Sequence, residues 1–362
     1  MQPTHSLQKQ LSTFLNWHPA RIEVTALVIL GFLQICTVNL AKIARTMGSD
    51  VDIESHRKRL KRFFAWNRMS LDDIARLIVS WVAPDEWILC LDRTCWKLGQ
   101  FDINVLMIAI AYKGTAIPVI WRLLPKGGCS NMDERIKIMK RFIALFGKEK
   151  IKCLTADREF KGKKWLKWLI DNDIPYRIRI PNNTLIMRHN SKRCLKAYRY
   201  FSLQINEDMA LRHARTLWGV KCYVSCHRSK KEHIVIISNE KGLTALSDYM
   251  RRWEIETLFQ ALKGRGFDFE STHLQDRRRI ERLLGLLALT YCWALSVGEW
   301  RARRKPIKIL KHGRPTHTLF RYGHELLASI VFDHTTRAYK SLLYHIEIFG
   351  KHRSEPVARG AQ

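Results

Sequence analysis

The stretch from Trp87 to Pro181 limits the possible folds more than any other part of the chain. WILCLD, INVLMIAIAY and TAIPVIWRLL are three apolar, β-branched-rich runs separated by short polar turns, one of them Lys113-Gly114. They predict three consecutive strands joined by hairpins. Residues 133–146 then show helical spacing and stop at Gly147. IKCLTAD reads as a short buried strand, KGKKWLKWLIDN as a basic amphipathic helix, and PYRIRIP as a fifth strand. The order βββαβαβ places antiparallel strands first and crossover helices later, whereas ordinary α/β chains alternate from the outset. It predicts an α/β fold with one mixed sheet flanked by helices.

The flanking segments have a different texture. Residues 24–82 have a helical period broken at Gly48, which predicts one helix ending near Met47 and a second opening near Ile53. The second carries Arg57, Lys58, Arg59, Lys61 and Arg62. It is either a solvated basic helix or, in a helix-turn-helix arrangement, a reader of the DNA major groove, with Arg57, Arg59 and Arg62 as candidate contacts. Residues 182–240 alternate like strands, and KCYVSCH and HIVIIS form a hairpin around RSKKE. Residues 301–362 carry thirteen Lys and Arg against four Asp and Glu, a net +9, and are expected to touch DNA or a second subunit. The expected organisation is a helical DNA-end-binding domain at 1–84, an α/β core at 85–181 and 241–300, a β-rich insertion at 182–240, and a basic C-terminal region at 301–362.

Charge narrows the partner. With 63 Lys and Arg against 33 Asp and Glu, the chain of 362 residues is at +30, while 46% apolar content suffices for a sizeable core. Such a charge calls for an anionic partner, and nucleic acid is the first candidate. Residues 26–36 and 283–298 are apolar but shorter than the roughly 20 residues a membrane span needs, so both predict buried helices and no membrane partner is expected. Nine scattered cysteines point to a reducing compartment, and MQPTHSLQKQ lacks the apolar core of a secretion signal. Cys222, Cys226, His227 and His233 make a poor zinc set, because the cysteines fall in a strand-like run and no second pair follows.

Three acids can carry chemistry. Asp92 ends the run ILCL and Asp157 the run IKCLTA, so two carboxylates at neighbouring strand ends can converge and hold Mg²⁺ or Mn²⁺. Two such ions stabilise the attacking and leaving oxygens of a phosphoryl displacement, which calls for a third carboxylate. Glu256 supplies it from the segment YMRRWEIETLFQALK, where Tyr249, Arg252, Glu256 and Lys263 fall within roughly 60° of one another on a helix. Ile255, Leu258 and Leu262 point elsewhere, toward a core, and Trp253 is expected to pack. Singly, each acid also reads as a turn residue, a helix cap or the partner of an arginine. Asp102 and Glu159 are candidates to support the ligands from behind, while Asp171 and Asp173 read as solvated turn positions.

LDRT around Asp92, TADREF around Asp157, and the spacing Y-x2-R-x3-E-x6-K realised by Tyr249, Arg252, Glu256 and Lys263 resemble the catalytic part of the IS4 family of bacterial insertion-sequence transposases. The resemblance covers residues 85–181 and 245–300, with KHGR at 311–314 as a weaker match. It implies a ribonuclease H-like fold and a DDE triad of Asp92, Asp157 and Glu256 at a two-metal site using Mg²⁺ or Mn²⁺. It further implies cut-and-paste transposition in the bacterial cytoplasm at the nucleoid. The implied partners are the terminal inverted repeats and target DNA, with a homodimer assembled on them through the C-terminal region or the helix around 283–298. Tyr249, Arg252 and Lys263 would grip the DNA backbone. A non-cleaving DNA-binding regulator and a ribonuclease H-like nuclease or resolvase remain as alternatives. Relatives that form a DNA hairpin place a Trp in the strand before the signature helix; HIVIIS has none, and Trp218 is the available substitute.

Overall fold

A computed structural model describes residues 3–48, 51–98, 100–189, 192–264, 266–311, 313–333 and 335–351; His312 of KHGR and residues 352–362 of the basic tail lie outside them. Five helices come first: α1 (Pro3–Ser12), α2 (Pro19–Ile35), α3 (Leu40–Ala44), α4 (Ile53–Ala65) and α5 (Leu71–Val82). Strands β1 (Ile88–Leu98), β2 (Phe101–Tyr112) and β3 (Thr115–Leu123) precede α6 (Met132–Phe146), β4 (Cys153–Ala156), α7 (Lys163–Asp171) and β5 (Tyr176–Ile180). Next are β6 (Leu185–Met187), β7 (Cys194–Lys196), β8 (Asp208–Ala210), β9 (Arg215–Leu217), β10 (Val220–Arg228) and β11 (His233–Ser238). Then come α8 (Thr244–Met250), a 3₁₀ turn at Arg251–Trp253, α9 (Glu254–Leu262), α10 (Arg277–Arg304), α11 (Leu319–Phe332) and α12 (Thr336–Lys351). The predicted βββαβαβ order is present in full.

The chain divides into two compact units. One comprises Pro84–Cys95 and Asn104–Thr257 and is built on a sheet of order β3-β2-β1-β4-β5-β11-β10-β8. Its first five strands have the ribonuclease H-like arrangement, with β2 and β3 antiparallel and β1, β4 and β5 parallel. Lys113 (φ 47) and Gly114 (φ 84) make the tight β2–β3 turn, since both positions need the left-handed region. Pro118 is tolerated because β3 is an edge strand and the register shifts beside it. Asn131 and Glu134 cap each other's backbone at the start of α6, and Gly147 ends that helix as predicted.

Most of the β-rich segment joins the central sheet, while β6 and β7 pair as a separate two-stranded sheet. β11 pairs antiparallel with β5, β10 with β11, and β8 with β10, so the predicted hairpin extends the central sheet. The reason lies in Val235, Ile236 and Ile237, each 0% exposed: both faces of β11 are apolar, as an internal strand requires. α8 is held to this sheet by charge. Arg177 of β5, 3% exposed, donates from Nε to Asp248 Oδ2 (3.2 Å) and from Nη2 to Glu240 Oε2 (2.6 Å). Breaking a buried pair leaves an uncompensated charge, so Asp248→Ala is expected to lower unfolding stability by about 3 kcal/mol in urea titrations. Glu240 remains to face Arg177 and keeps the loss at the low end. An unchanged urea midpoint would show that the pair contributes nothing.

The other unit comprises Met1–Ala83, Trp96–Ile103 and Leu258–Gln362. α4 opens at Ile53 as predicted, because the Asp52 carboxylate accepts the N–H groups of Glu54 (3.1 Å) and Ser55 (3.3 Å). It buries His56, Leu60, Phe63 and Phe64 and exposes Arg57, Lys58, Lys61 and Arg62. Arg57 pairs with Glu54 on the same helix, and Arg59 is drawn aside to Glu23 of α2 at 2.8 Å. α10 is long and apolar enough to cross a membrane by composition, yet residues 283–295 are all buried within this unit. That burial corrects the expectation that the helix around 283–298 supplies subunit contacts. Gly298 and Gly323 are why α11 can lie against it: a Cβ on Gly323 would overlap the Ala294 carbonyl and the Gly298 amide. Part of the basic tail is thus core, with Leu327 and Ile346 at 0% exposure.

Candidate active site

β1 and β4 pair with Ile88, Leu89, Cys90 and Leu91 opposite Cys153, Leu154, Thr155 and Ala156. One residue beyond the last of these pairs stand Asp92, still within β1, and Asp157, the first residue after β4, where the paired chains run about 4.8 Å apart. The eight residues before them are 0–1% exposed, so each aspartate is the first acidic group reached as its chain leaves the core. Both carboxylates are steadied by the next residue: Arg93 N–H donates to Asp92 Oδ1 (2.7 Å), and Arg158 N–H to Asp157 Oδ1 (2.8 Å).

Arg252 links Asp92 to the third acid. It sits in the 3₁₀ turn between α8 and α9 and is 3% exposed. Nη1 donates to Asp92 Oδ2 (2.9 Å) and Nη2 to Glu256 Oε1 (2.8 Å), one turn along α9. The guanidinium is planar with donors in a fixed fork, so one side chain can orient two carboxylates. Burial opposes its charge, but Tyr249, Asp92 and Asp157 push its pKa above the usual arginine value. At Asp92, burial is the largest influence and raises the pKa to about 6; Arg252 and the Arg93 N–H act against that, while Glu159 and Asp157 add to it.

The predicted polar stripe is not a solvent face. Tyr249 and Glu256 lie on separate helices either side of the 3₁₀ turn, and Tyr249 is 1% exposed against Ile234, Ile236 and Leu246. Burial pushes its hydroxyl up to about 12. Arg252 is occupied by the carboxylates, and Lys263 pairs with Glu270 (3.1 Å) over the ring of Trp96. In this structure the Tyr249 side chain is buried, and Arg252 and Lys263 are each matched to an acid. Ile255, Leu258 and Leu262 are buried as predicted, at 0%, 0% and 2%. Trp253, expected to pack, is 50% exposed, since its position beside Arg252 faces away from the sheet. Trp218 is in no strand: with φ 50 it makes the β9–β10 turn together with Gly219. Asp173 is a solvated turn position paired with Lys148 at 2.9 Å.

An all-oxygen set with two neighbouring carboxylates, one of them made reluctant to ionise by burial and like charge, fits a hard divalent cation. Three acids already converged on one ion were expected. Among the described residues no three His, Cys, Asp or Glu side chains are gathered in that way, and Glu256 reaches Asp92 through the Arg252 guanidinium.

Of the polar groups beside the aspartates, Glu159 was among the expected supporting groups, whereas Arg93, Asn104 and Arg135 escaped the sequence reading. Arg93 forks onto Glu159, Asn104 bonds Arg93, and Arg135 of α6 binds the backbone after Asp157. The available signal was complementary charge within the two motifs, LDRT carrying the arginine and TADREF the glutamate. No spacing rule could have pointed to Asn104 or Arg135.

A comparison with curated proteins finds no match. Among solved structures, the chain is similar to a piggyBac transposase in its synaptic complex with hairpin DNA, at 11% identity and a TM-score of 0.46, over 99% of this chain and 83% of that one. The family model of the transposase DDE domain matches residues 83–293, more than half of the chain. By that match, and with Asp92 within β1, Asp157 just past the end of β4 and an arginine-linked glutamate inside the matched region, the chain belongs to the transposase DDE domain family.

Proposed function

We propose that this transposase acts on the terminal inverted repeats of its own insertion sequence, as an IS4-type enzyme of a bacterial cytoplasm, by cut-and-paste transposition. The observation that carries the reading is the position of Asp92 and Asp157 one residue beyond the last β1–β4 pair, with Arg252 tying Asp92 to Glu256. In this reading Asp92, Asp157 and Glu256 hold Mg²⁺ or Mn²⁺. The bound ions supply Lewis-acid stabilisation of the attacking and leaving oxygens. Asp92 presents its oxygens from within β1 and Asp157 from the end of the neighbouring β4, and Arg252 keeps Asp92 and Glu256 facing each other. Water breaks the phosphodiester at the element end and frees a 3′-hydroxyl; that hydroxyl then attacks a target phosphodiester, forming a new P–O bond as the bond to the target strand's 3′-oxygen breaks and that oxygen leaves. The exposed Arg57 and Arg62 of α4, with Lys58 and Lys61, face the end duplex, and Arg59 braces that helix through Glu23. One chain serves each end, so the active form on DNA is a homodimer.

The test is a strand-specific gel of labelled end-containing DNA with purified protein and Mg²⁺ or Mn²⁺. Nicked ends and joined products are expected from the parent, and neither from Asp92→Asn or Glu256→Gln, both of which still shift the DNA. Cutting that persists in either variant removes the assignment, and DNA shifts without metal-dependent products from the parent would make the chain a regulator.

A further inference from the structure

We propose that Arg93, Glu159 and Asn104 form a positioning clamp that sets the spacing between Asp92 and Asp157. The proposal rests on the reading of those aspartates as metal-holding groups. Successive side chains on a strand point to opposite faces, so Arg93 lies behind Asp92. There its Nε and Nη2 donate to Glu159 Oε1 (3.3 Å) and Oε2 (3.1 Å), and Glu159 is two residues past Asp157. The fork therefore joins the two aspartate-bearing segments from the rear. The pair is partly buried, with side-chain exposures of 13% and 23%.

Asn104 fixes the arginine. It is 0% exposed, its Oδ1 accepts from Arg93 Nη1 (3.1 Å), and its Nδ2 donates to the carbonyls of Lys126 (2.8 Å) and Gly128 (2.9 Å). A fully buried amide bonded on both ends has one orientation, so Arg93 is held in one place. The segment after Asp157 is gripped a second time by Arg135, which donates from Nη2 to the Glu159 carbonyl (3.1 Å) and from Nη1 to that of Lys161 (3.4 Å). Within that segment Phe160 N–H bonds the Asp157 carbonyl (2.9 Å) and Arg158 N–H bonds the Asp157 carboxylate (2.8 Å); both bonds are local to the turn, and neither ties it to β1. This pair is more exposed than the one between Arg177 and Asp248, so breaking it costs less stability, whereas groups behind metal ligands strongly affect ion affinity. That contrast separates a clamp from an ordinary structural pair.

The test measures Mn²⁺ binding to the full chain without DNA, by electron paramagnetic resonance of the free ion, alongside urea unfolding. Arg93→Lys and Glu159→Gln are each expected to weaken Mn²⁺ binding about tenfold with little change in the urea midpoint. The double variant should be no weaker than either single, because both remove one contact. Glu159→Gln keeps shape and an acceptor, so it reads the contact even if Arg93→Lys does not fold. Asp92→Asn provides the reference. If it abolishes Mn²⁺ binding while both clamp variants bind within about twofold of the parent, the clamp is refuted and the metal reading stands. Losses that simply track a fall in the urea midpoint also refute it. If Asp92→Asn binds Mn²⁺ like the parent, the metal reading fails and the clamp's purpose fails with it.

Discussion

An Arg252→Met protein is expected to unfold about 3 kcal/mol more easily than the parent at pH 8 and to cut end-containing DNA about a hundredfold more slowly. Both effects follow from one guanidinium serving two carboxylates, with Asp92 Oδ2 at 2.9 Å and Glu256 Oε1 at 2.8 Å. Methionine matches the length of the side chain but leaves a charged Asp92 beside Asp157 with no cation. The stability cost stays near the lower end for a broken buried pair, because Asp92 can take up a proton instead. Arg252 is the strongest influence holding the Asp92 pKa down, and even with it in place burial leaves that pKa raised to about 6. Its removal should therefore move the acid limb of the cutting profile to higher pH, and the stability deficit should shrink as pH falls to 5.5. Arg252→Lys restores the charge without the fork, so most of the stability should return and little of the cutting. Urea melts at the two pH values and a pH–rate profile check this. An unshifted acid limb with parental stability would mean that Arg252 does not govern the site.

The legible parts of the chain are those where local chemistry and tertiary structure agree. The strands of the core are apolar and β-branched, their turns are marked by Lys113-Gly114, Gly147 and Asp173, and Asp92 and Asp157 fall where apolar runs stop. These signals lie within a few residues of what they specify. The stripe on YMRRWEIETLFQALK could be misread because a helical wheel assumes one unbroken helix. The 3₁₀ turn at Arg251–Trp253 interrupts it, and a buried counter-charge has the same sequence pattern as a solvated one. Tyr249 and Arg252 face inward because hydrophobic neighbours and Asp92, far away in sequence, lie there. Likewise β11 alternates like any strand, and only its doubly apolar faces hinted that it joins β5. The Arg93–Glu159 pair was visible as residue types and invisible as a contact, since 66 residues separate its members. Longer-range pairing of this kind is what a single sequence encodes least directly.

Metal-free Asp92→Asn protein is expected to be more stable than the parent at pH 8 and about equally stable at pH 4. Asp92 has a folded pKa of about 6 against an ordinary 3.8, raised chiefly by burial. The folded chain thus holds this proton more tightly than the unfolded chain does. The stabilisation linked to protonation is fully present below 3.8 and is lost as pH rises through about 6, an effect on the order of 2–3 kcal/mol for a shift of this size. Asparagine resembles the protonated acid at every pH and can still accept from Arg252, so it retains at pH 8 what the parent has lost. Divalent cation should reverse the ranking, because it binds the folded parent and stabilises it by mass action while leaving the asparagine variant nearly untouched. Urea midpoints at pH 4 and pH 8, with and without Mg²⁺, resolve the four cases. If the variant is no more stable than the parent at pH 8 without metal, the Arg252 pair outweighs the burial of Asp92. A stable but inert variant would instead locate the cost of activity in one carboxylate, kept charged in a place where only a cation makes that charge favourable.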